Sequence, residues 1–240
     1  MDKNELFNLN DKTAIITGGA NGIGKACCEI LADFGANVVV SDYNYEAAKI
    51  TASKIGENAF AIKCDNTKDE DLVNLVNETI NKFGSIEILI NNVGGGGAGK
   101  ESPYDIEVSQ FKKVFELNVF STWRLCQLVA PHMKNSGYGS IINMSSMASI
   151  NKSPAISAYA SSKAAINHMT RNLAFDFGPD NIRINAVGPG ATRTHALSTV
   201  LSPEIESAML KRTPIKRLGE AEDIAGAVLY FASPIQSQSG

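Results

Sequence analysis

The chain repeats one alternation: a short, almost unbroken run of apolar and β-branched residues, then a longer amphipathic stretch. The runs are TAIIT (13–17), NVVVS (37–41), AFAIK (59–63), IEILI (86–90), SIINM (140–144) and IRINAV (182–187). A strand with one wet face alternates apolar and polar residues, whereas an unbroken run fits a strand covered on both faces, as in a parallel sheet. Helical stretches are expected from Gly22 to the FGA at 34–36, over 45–55, 69–83, roughly 106–134 and 157–177, with a shorter one in SPEIESAMLKR (202–212). Gly35, Gly56, Gly84 and Gly178 each follow a helical stretch and are expected as left-handed caps. Parallel strands need crossover helices, so the pattern predicts an α/β fold with a doubly wound parallel sheet.

With 44% hydrophobic residues in 240, the chain can bury a large core, and no repeat or linker divides it. A single domain over 1–240 is expected. The net charge of −3 gives no reason to expect a nucleic-acid or membrane partner. Cys27, Cys28, Cys64 and Cys126 show no metal or redox spacing and read as reduced thiols. The opening MDKNELFNLNDK has no apolar leader core, and no apolar run approaches membrane-spanning length. A soluble, cytoplasmic protein is expected. His132, His168 and His195 are scattered without ligand spacing, so no metal is expected.

TAIITGGANGIGKA runs from a strand into a helix, with Gly18, Gly22 and Gly24 at the turn. Residues without Cβ permit a tight turn and close backbone approach, and the helix start offers free N–H groups to a pyrophosphate. Read alone it is a glycine-rich turn; after the first strand and before the first helix it predicts nucleotide binding in a Rossmann-type sheet. Asp42 ends the next run, 18 residues after Gly24, where a carboxylate can hold the adenosine ribose hydroxyls. A 2′-phosphate about 4 Å from it would cost about 4 kcal/mol per charge at an effective dielectric near 20, so NAD is expected over NADP.

In SAYASSKAAI, Tyr159 and Lys163 stand one helical turn apart on one face among small side chains. Interconverting an alcohol and a ketone needs a proton moved at the oxygen, and free tyrosine is too weak a base at neutral pH. An ammonium about 5 Å away would lower the phenol by about two pKa units. Ser146, at the end of the SIINM run in NMSS, sits where α/β ligands bind and is expected to orient the substrate oxygen.

With these pieces together, the chain resembles the short-chain dehydrogenase/reductase family over nearly its whole length. The resemblance lies in TGGANGIG (17–24), NNVG (91–94), LNVF (117–120), NMSS (143–146), YASSK (159–163) and VGPGATRT (187–194). It implies Tyr159 as general acid/base, Lys163 as its activator and a ribose ligand, Ser146 as the orienting hydroxyl, and Asn118 as holder of a relay water through a distorted helix backbone. Toward NAD it implies Gly18, Asn21, Gly22, Ile23 and Gly24 at the turn, Asp42 on the ribose, and Asp65 at adenine with Asn66 beside it. It further implies Asn91, Asn92 and Gly94 along the cleft, and Thr194 with the Thr192 backbone at the carboxamide. A homo-oligomer is implied, a tetramer in the family.

Within that family, NNVGGGGAGK (91–100), ELNVFSTWRLCQLVAPHM (116–133), AYASSKAA (158–165) and ALSTVLSPEIESAMLKRTPIKRLG (196–219) are similar to bacterial NAD-dependent dehydrogenases acting on the 7α-hydroxyl of bile acid-type steroids. The glycines from Gly94 to Gly97 read either as a flexible loop or as room for a bulky fused-ring alcohol. A substrate lid is expected at about 194–216, where Ala196, Leu197, Val200, Leu201 and Met209 form a substrate wall, an oligomer surface or helix core. Lys211, Arg212, Lys216 and Arg217 read as a solvated face, and Trp123 as packing within the chain or at a subunit interface. Asn66 replaces a small apolar residue usual in the family, and Thr192 stands where isoleucine is common. SPIQSQSG (233–240) stands where relatives begin a seventh strand, so the sheet is expected to have six strands, or else the native tail has been lost or replaced. A 3-oxoacyl-[acyl-carrier-protein] reductase and a sugar (glucose 1-) dehydrogenase are alternatives with the same chemistry. A non-enzymatic nucleotide-binding scaffold is the alternative of another class.

Overall fold

The computed structural model describes residues 6–96, 101–198 and 201–234. Gly97, Val200, residues 1–5 and the tail 235–240 lie outside the described residues, as do the side chains of His195, Ala196 and Arg212. Among the described residues, six strands form one parallel sheet: β1 (Thr13–Thr17), β2 (Asn37–Asp42), β3 (Ala59–Lys63), β4 (Ile88–Asn91), β5 (Gly139–Met144) and β6 (Ile182–Val187). Their order is β3-β2-β1-β4-β5-β6, so the winding reverses between β1 and β4. A crevice opens at such a reversal beyond the strands' carboxyl ends, and ligands bind there.

The unbroken apolar runs have a direct cause. Ala14, Ile16, Val38, Val40, Ile88 and Ile90 pack on one face, under α1 (Gly22–Asp33), α2 (Tyr45–Ile55) and α9 (Ala221–Ala232). Their neighbours Ile15, Val39 and Leu89 point the other way, under α3 (Asp69–Phe83), α5 (Ser121–Ser136) and α6 (Ser157–Phe177). Successive strand side chains alternate faces, and here both faces are covered.

Three departures from the expected pattern matter. The long helix expected over 106–134 is two: α4 (Val108–Phe115) and α5, joined by a π-helical turn, Glu116–Phe120, that contains Asn118. Gly178 is not a left-handed cap. It continues right-handed into a short turn through Pro179, and Asn181 takes φ 60 instead, its amide donating to the Gly137 carbonyl at 2.6 Å. Helix α9 corresponds to no expected element. It starts at a reciprocal cap between Glu220 and Asp223 and packs its apolar side against the face that carries α1.

The segment after β6 leaves the sheet and returns. It carries α7 (His195–Ser198) and α8 (Pro203–Arg212), the latter capped by Ser202, whose side chain accepts from the Ile205 N–H. Its base is closed by Thr192 pairing with Gly219. Gly219 N donates to Ala191 O at 2.9 Å, and Arg193 N donates to Gly219 O at 2.7 Å. Among the described residues, no helix is long and apolar enough to cross a membrane.

Candidate active site

At the end of β1 the chain turns through Gly18 (φ 65) and Gly22 (φ 53) into α1. A Cβ on Gly24 would stand 2.1 Å from the Gly18 carbonyl oxygen and 2.6 Å from Asn92 Nδ2, so this position admits only glycine. Asn92 holds the turn from β4, donating from Nδ2 to Thr17 O at 2.9 Å and to Gly18 O at 3.2 Å. Thr17 Oγ1 accepts from the N–H groups of Asn92 and Val93 at 3.0 and 3.1 Å, tying β1 to β4 at the reversal. Asn21, the N-cap of α1, makes no side-chain cap bond, and the first turn holds no acidic residue. The helix therefore starts with uncapped N–H groups, Ile23 among its first residues, beside glycines that exclude side chains. That arrangement suits a dinucleotide pyrophosphate.

Asp42 ends β2. Its Oδ2 accepts from Ala20 N in the glycine turn at 3.1 Å, and its Oδ1 accepts from Asn44 N at 2.9 Å. Each oxygen retains acceptor capacity for a ribose hydroxyl. Asp65, after β3, serves its own turn: Oδ1 accepts from Thr67 N at 3.0 Å and Thr67 Oγ1 at 2.7 Å, which holds the carboxyl below its usual range. Asn66 beside it is buried. Asn91 faces away from the crevice, into the protein. Its amide donates to Asn143 Oδ1 at 2.9 Å, and Asn143 in turn donates to Thr170 Oγ1 at 3.0 Å, cross-linking β4, β5 and α6 beneath the site. Thr192 is buried at the base of the excursion after β6. Thr194 faces the glycine turn, since a Cβ on Gly22 would meet its Cγ2 at 3.3 Å.

Tyr159 is the third residue of α6, and Lys163 follows one turn later. Lys163 is buried, donates from Nζ to the Met144 carbonyl at 2.6 Å and stands over the Tyr159 ring, 5.8 Å from its centroid. A Cβ on Gly94 would lie 2.8 Å from this Nζ, so the glycine makes room for the ammonium. Gly94 is two residues beyond Asn92, which grips the glycine turn, so this short loop joins the two halves of the site. Ser146, just past β5, accepts from Ala148 N on Oγ at 3.1 Å and keeps its own hydroxyl proton to donate.

The expected lowering of Tyr159 by Lys163 does not occur here. Burial pushes the phenol above its usual value, and Ser146 is the group that pulls it back down. Lys163 is itself brought down from 10.5 to about 8 by burial, its ammonium turned to the Met144 carbonyl. Desolvation opposes charge on both groups and is the largest influence on each.

Asn118 lies buried in the π-helical turn, the backbone distortion expected of it. Its side chain accepts from Gly95 N at 2.9 Å and donates to Gly95 O at 3.0 Å and to Ser162 Oγ at 2.8 Å. Ser162 donates on to the Tyr159 carbonyl at 2.7 Å. A continuous chain thus runs from the loop after β4 to the backbone of Tyr159. Thr17 and Ser162 were not singled out from the sequence, although each adjoins a motif residue, Gly18 and Lys163. All four cysteines are unpaired and buried, and burial pushes Cys27, Cys64 and Cys126 up to about 12. Among the described residues, no group of His, Cys, Asp and Glu could hold a metal ion.

Residues 18–238 match the family described as Enoyl-(Acyl carrier protein) reductase. The chain is 47% identical over 240 residues to a 7alpha-hydroxysteroid dehydrogenase of Escherichia coli K12, covering 99% of this chain and 93% of that one. It is 36% identical over 234 residues to a 3alpha-hydroxysteroid dehydrogenase of Mediterraneibacter gnavus, covering 95% and 92%. Among solved structures, a 7 alpha-hydroxysteroid dehydrogenase complexed with NADH and 7-oxo glycochenodeoxycholic acid superposes with a TM-score of 0.94 at 46% identity, over 99% of this chain and 93% of that one.

Proposed function

Because the chain belongs to the short-chain dehydrogenase/reductase family, we propose that it is an NAD-dependent hydroxysteroid dehydrogenase, interconverting a secondary alcohol and a ketone at the 7α position of a bile acid-type steroid. The observation that carries this reading is the buried Lys163, set between the Tyr159 ring and Gly94 of the loop that holds the glycine turn, with Ser146 bonded to the Tyr159 phenol. The pyrophosphate falls to the α1 start with Gly18, Asn21, Gly22, Ile23 and Gly24, the ribose to Asp42 and Lys163, and the nicotinamide side to Gly94, Thr192 and Thr194. Asp65 and Asn66 border the adenine end. Bound NAD(H) accepts or supplies the hydride.

The chain's own residues handle the proton and the pose. In oxidation, Tyr159 takes the alcohol proton on its phenol oxygen; in reduction it returns one to the ketone oxygen. Ser146 donates its hydroxyl hydrogen to that same oxygen and fixes its place. Lys163 keeps a positive charge near the phenol and the ribose, and Asn118 sets the loop at Gly95 that borders the reacting centre. Met147 and Ile150, exposed just after Ser146, and half-buried Leu197, Leu201 and Met209 give a fused-ring substrate an apolar wall. The excursion from 194 to 216 is the substrate lid of this single domain. The proposal includes a homo-tetramer, supported by exposed Phe120 at the end of the π-helical turn, exposed Trp123 on α5 and exposed Phe175 on α6. A cytoplasmic setting fits the four unpaired, buried thiols.

An assay with chenodeoxycholate-type and cholate-type alcohols, with NAD and NADP side by side, tests the reading. NADH should appear with NAD and at least one of the two alcohols, and silence with both would reject the steroid assignment. Asp42→Ala should reduce the preference for NAD over NADP by at least about tenfold, since it removes the carboxylate that opposes a 2′-phosphate. An unchanged ratio of kcat/KM values would place cofactor choice elsewhere.

A further inference from the structure

Helix α6 carries Tyr159 and Lys163 yet starts without a local cap. Its N-cap residue Ile156 makes no side-chain bond, and its first turn holds no acidic residue. The partner comes from the loop after β4, 57 residues earlier: Glu101 Oε2 accepts from the Ala158 N–H at 3.1 Å. The Glu101 backbone N–H donates to the Ala155 carbonyl, also at 3.1 Å. Glu101 therefore grips the chain on both sides of the helix start. Ala155, whose carbonyl takes one of these bonds, holds φ 62, a left-handed value that alanine keeps only when its surroundings impose it. The second carboxylate oxygen, Oε1, is buried without a partner. A buried acceptor left unpaired opposes folding, so the residue's contribution lies in what its other oxygen and its backbone hold in place.

We propose that Glu101 is a positioning residue for Tyr159: from the loop beside the substrate it caps α6 and fixes the first turn, on which the phenol is carried. The same loop is held further upstream by Asn118 at Gly95, and through Ser162 Asn118 also reaches the Tyr159 backbone. Tyr159 is thus fixed from two points of one loop, Gly95 and Glu101. The inference rests on the role given to Tyr159 above.

Glu101→Ala and Glu101→Gln in the full chain separate the possibilities. In Glu101→Ala, amide exchange at Ala158 and Tyr159 should quicken by about tenfold, the factor a lost helix cap corresponds to. The kcat for steroid oxidation should drop by about tenfold, while the KM for NAD stays within about twofold, because the glycine turn is untouched. Glu101→Gln keeps an acceptor for Ala158 and should restore both exchange and kcat. Parental exchange and kcat in Glu101→Ala would overturn the proposal, and so would a Gln variant as impaired as the Ala variant. A parent protein that turns over no steroid would count against the functional reading alone; the exchange measurements would then decide for or against the cap by themselves.

Discussion

Tyr159→Phe should cut steroid oxidation by about a thousandfold, within the range that a positioned acid/base contributes, while leaving the fold and NAD affinity as they are. The substitution removes one oxygen and keeps the half-buried ring, so packing along α6 is preserved. The melting temperature should stay within about 4 °C, because the substitution removes only the phenol's hydrogen bond with Ser146, worth about 1 kcal/mol, while Ser162 bonds the Tyr159 carbonyl, which phenylalanine retains. The pH profile gives the sharper discrimination. Burial raises the phenol above its usual value, so in oxidation the base form grows as pH climbs, and the parental rate should climb with it. In reduction the protonated phenol is the donor, already present at neutral pH, and that rate should decline as pH passes the same point. Both limbs should vanish in Tyr159→Phe. A variant within tenfold of the parent, or one that keeps the alkaline rise, would mean that another group moves the proton.

The elements that could be read from the sequence are those whose environment is uniform. β1, β3 and β6, with helices α2, α3 and α6, match their expected bounds because each strand is covered on both faces and each helix has one apolar stripe against the sheet. Helix α9 escaped notice because Ala, Gly226 and apolar residues nearly surround it and blur the stripe. Its start could have been found from Glu220 and Asp223, three apart and reciprocally bonded. The π-helical turn at Asn118 has no compositional mark, since it depends on the amide finding Gly95 and Ser162 in space. The active-site residues stood out by spacing, Tyr159 to Lys163, and by their position at strand ends. Their ionisation did not, because burial of each group belongs to the assembled fold and here opposes what their spacing alone suggests. Glu101 was hidden for a similar reason: its partner lies 57 residues away.

Lys163→Met should abolish most turnover and yet make the protein harder to unfold at neutral pH. The ammonium is buried, and burial lowers it from 10.5 to about 8, which corresponds to a cost of about 3 kcal/mol for holding the charge in the folded state. Its charge-assisted bond to the Met144 carbonyl returns about 1.5 to 3 kcal/mol. Methionine has a similar length and no charge, so the balance favours the variant by up to about 1.5 kcal/mol, or up to about 6 °C in Tm. The sign with pH follows from proton counts. Between pH 8 and 10.5 the unfolded lysine still binds a proton that the folded one has released, so the parent gains stability as pH rises through that window. Below pH 8 the full penalty is present; above 10.5 it is gone. The variant carries no such dependence, so its advantage in Tm, measured against the parent at each pH, should shrink across that window and disappear at its upper end. Turnover should fall by at least about a hundredfold at every pH, since the site loses the charge beside Tyr159 and the ribose. A variant less stable than the parent at pH 7, or an advantage that grows with pH, would show that the buried ammonium stabilises this fold, and the site could then no longer be described as one that sacrifices stability for charge.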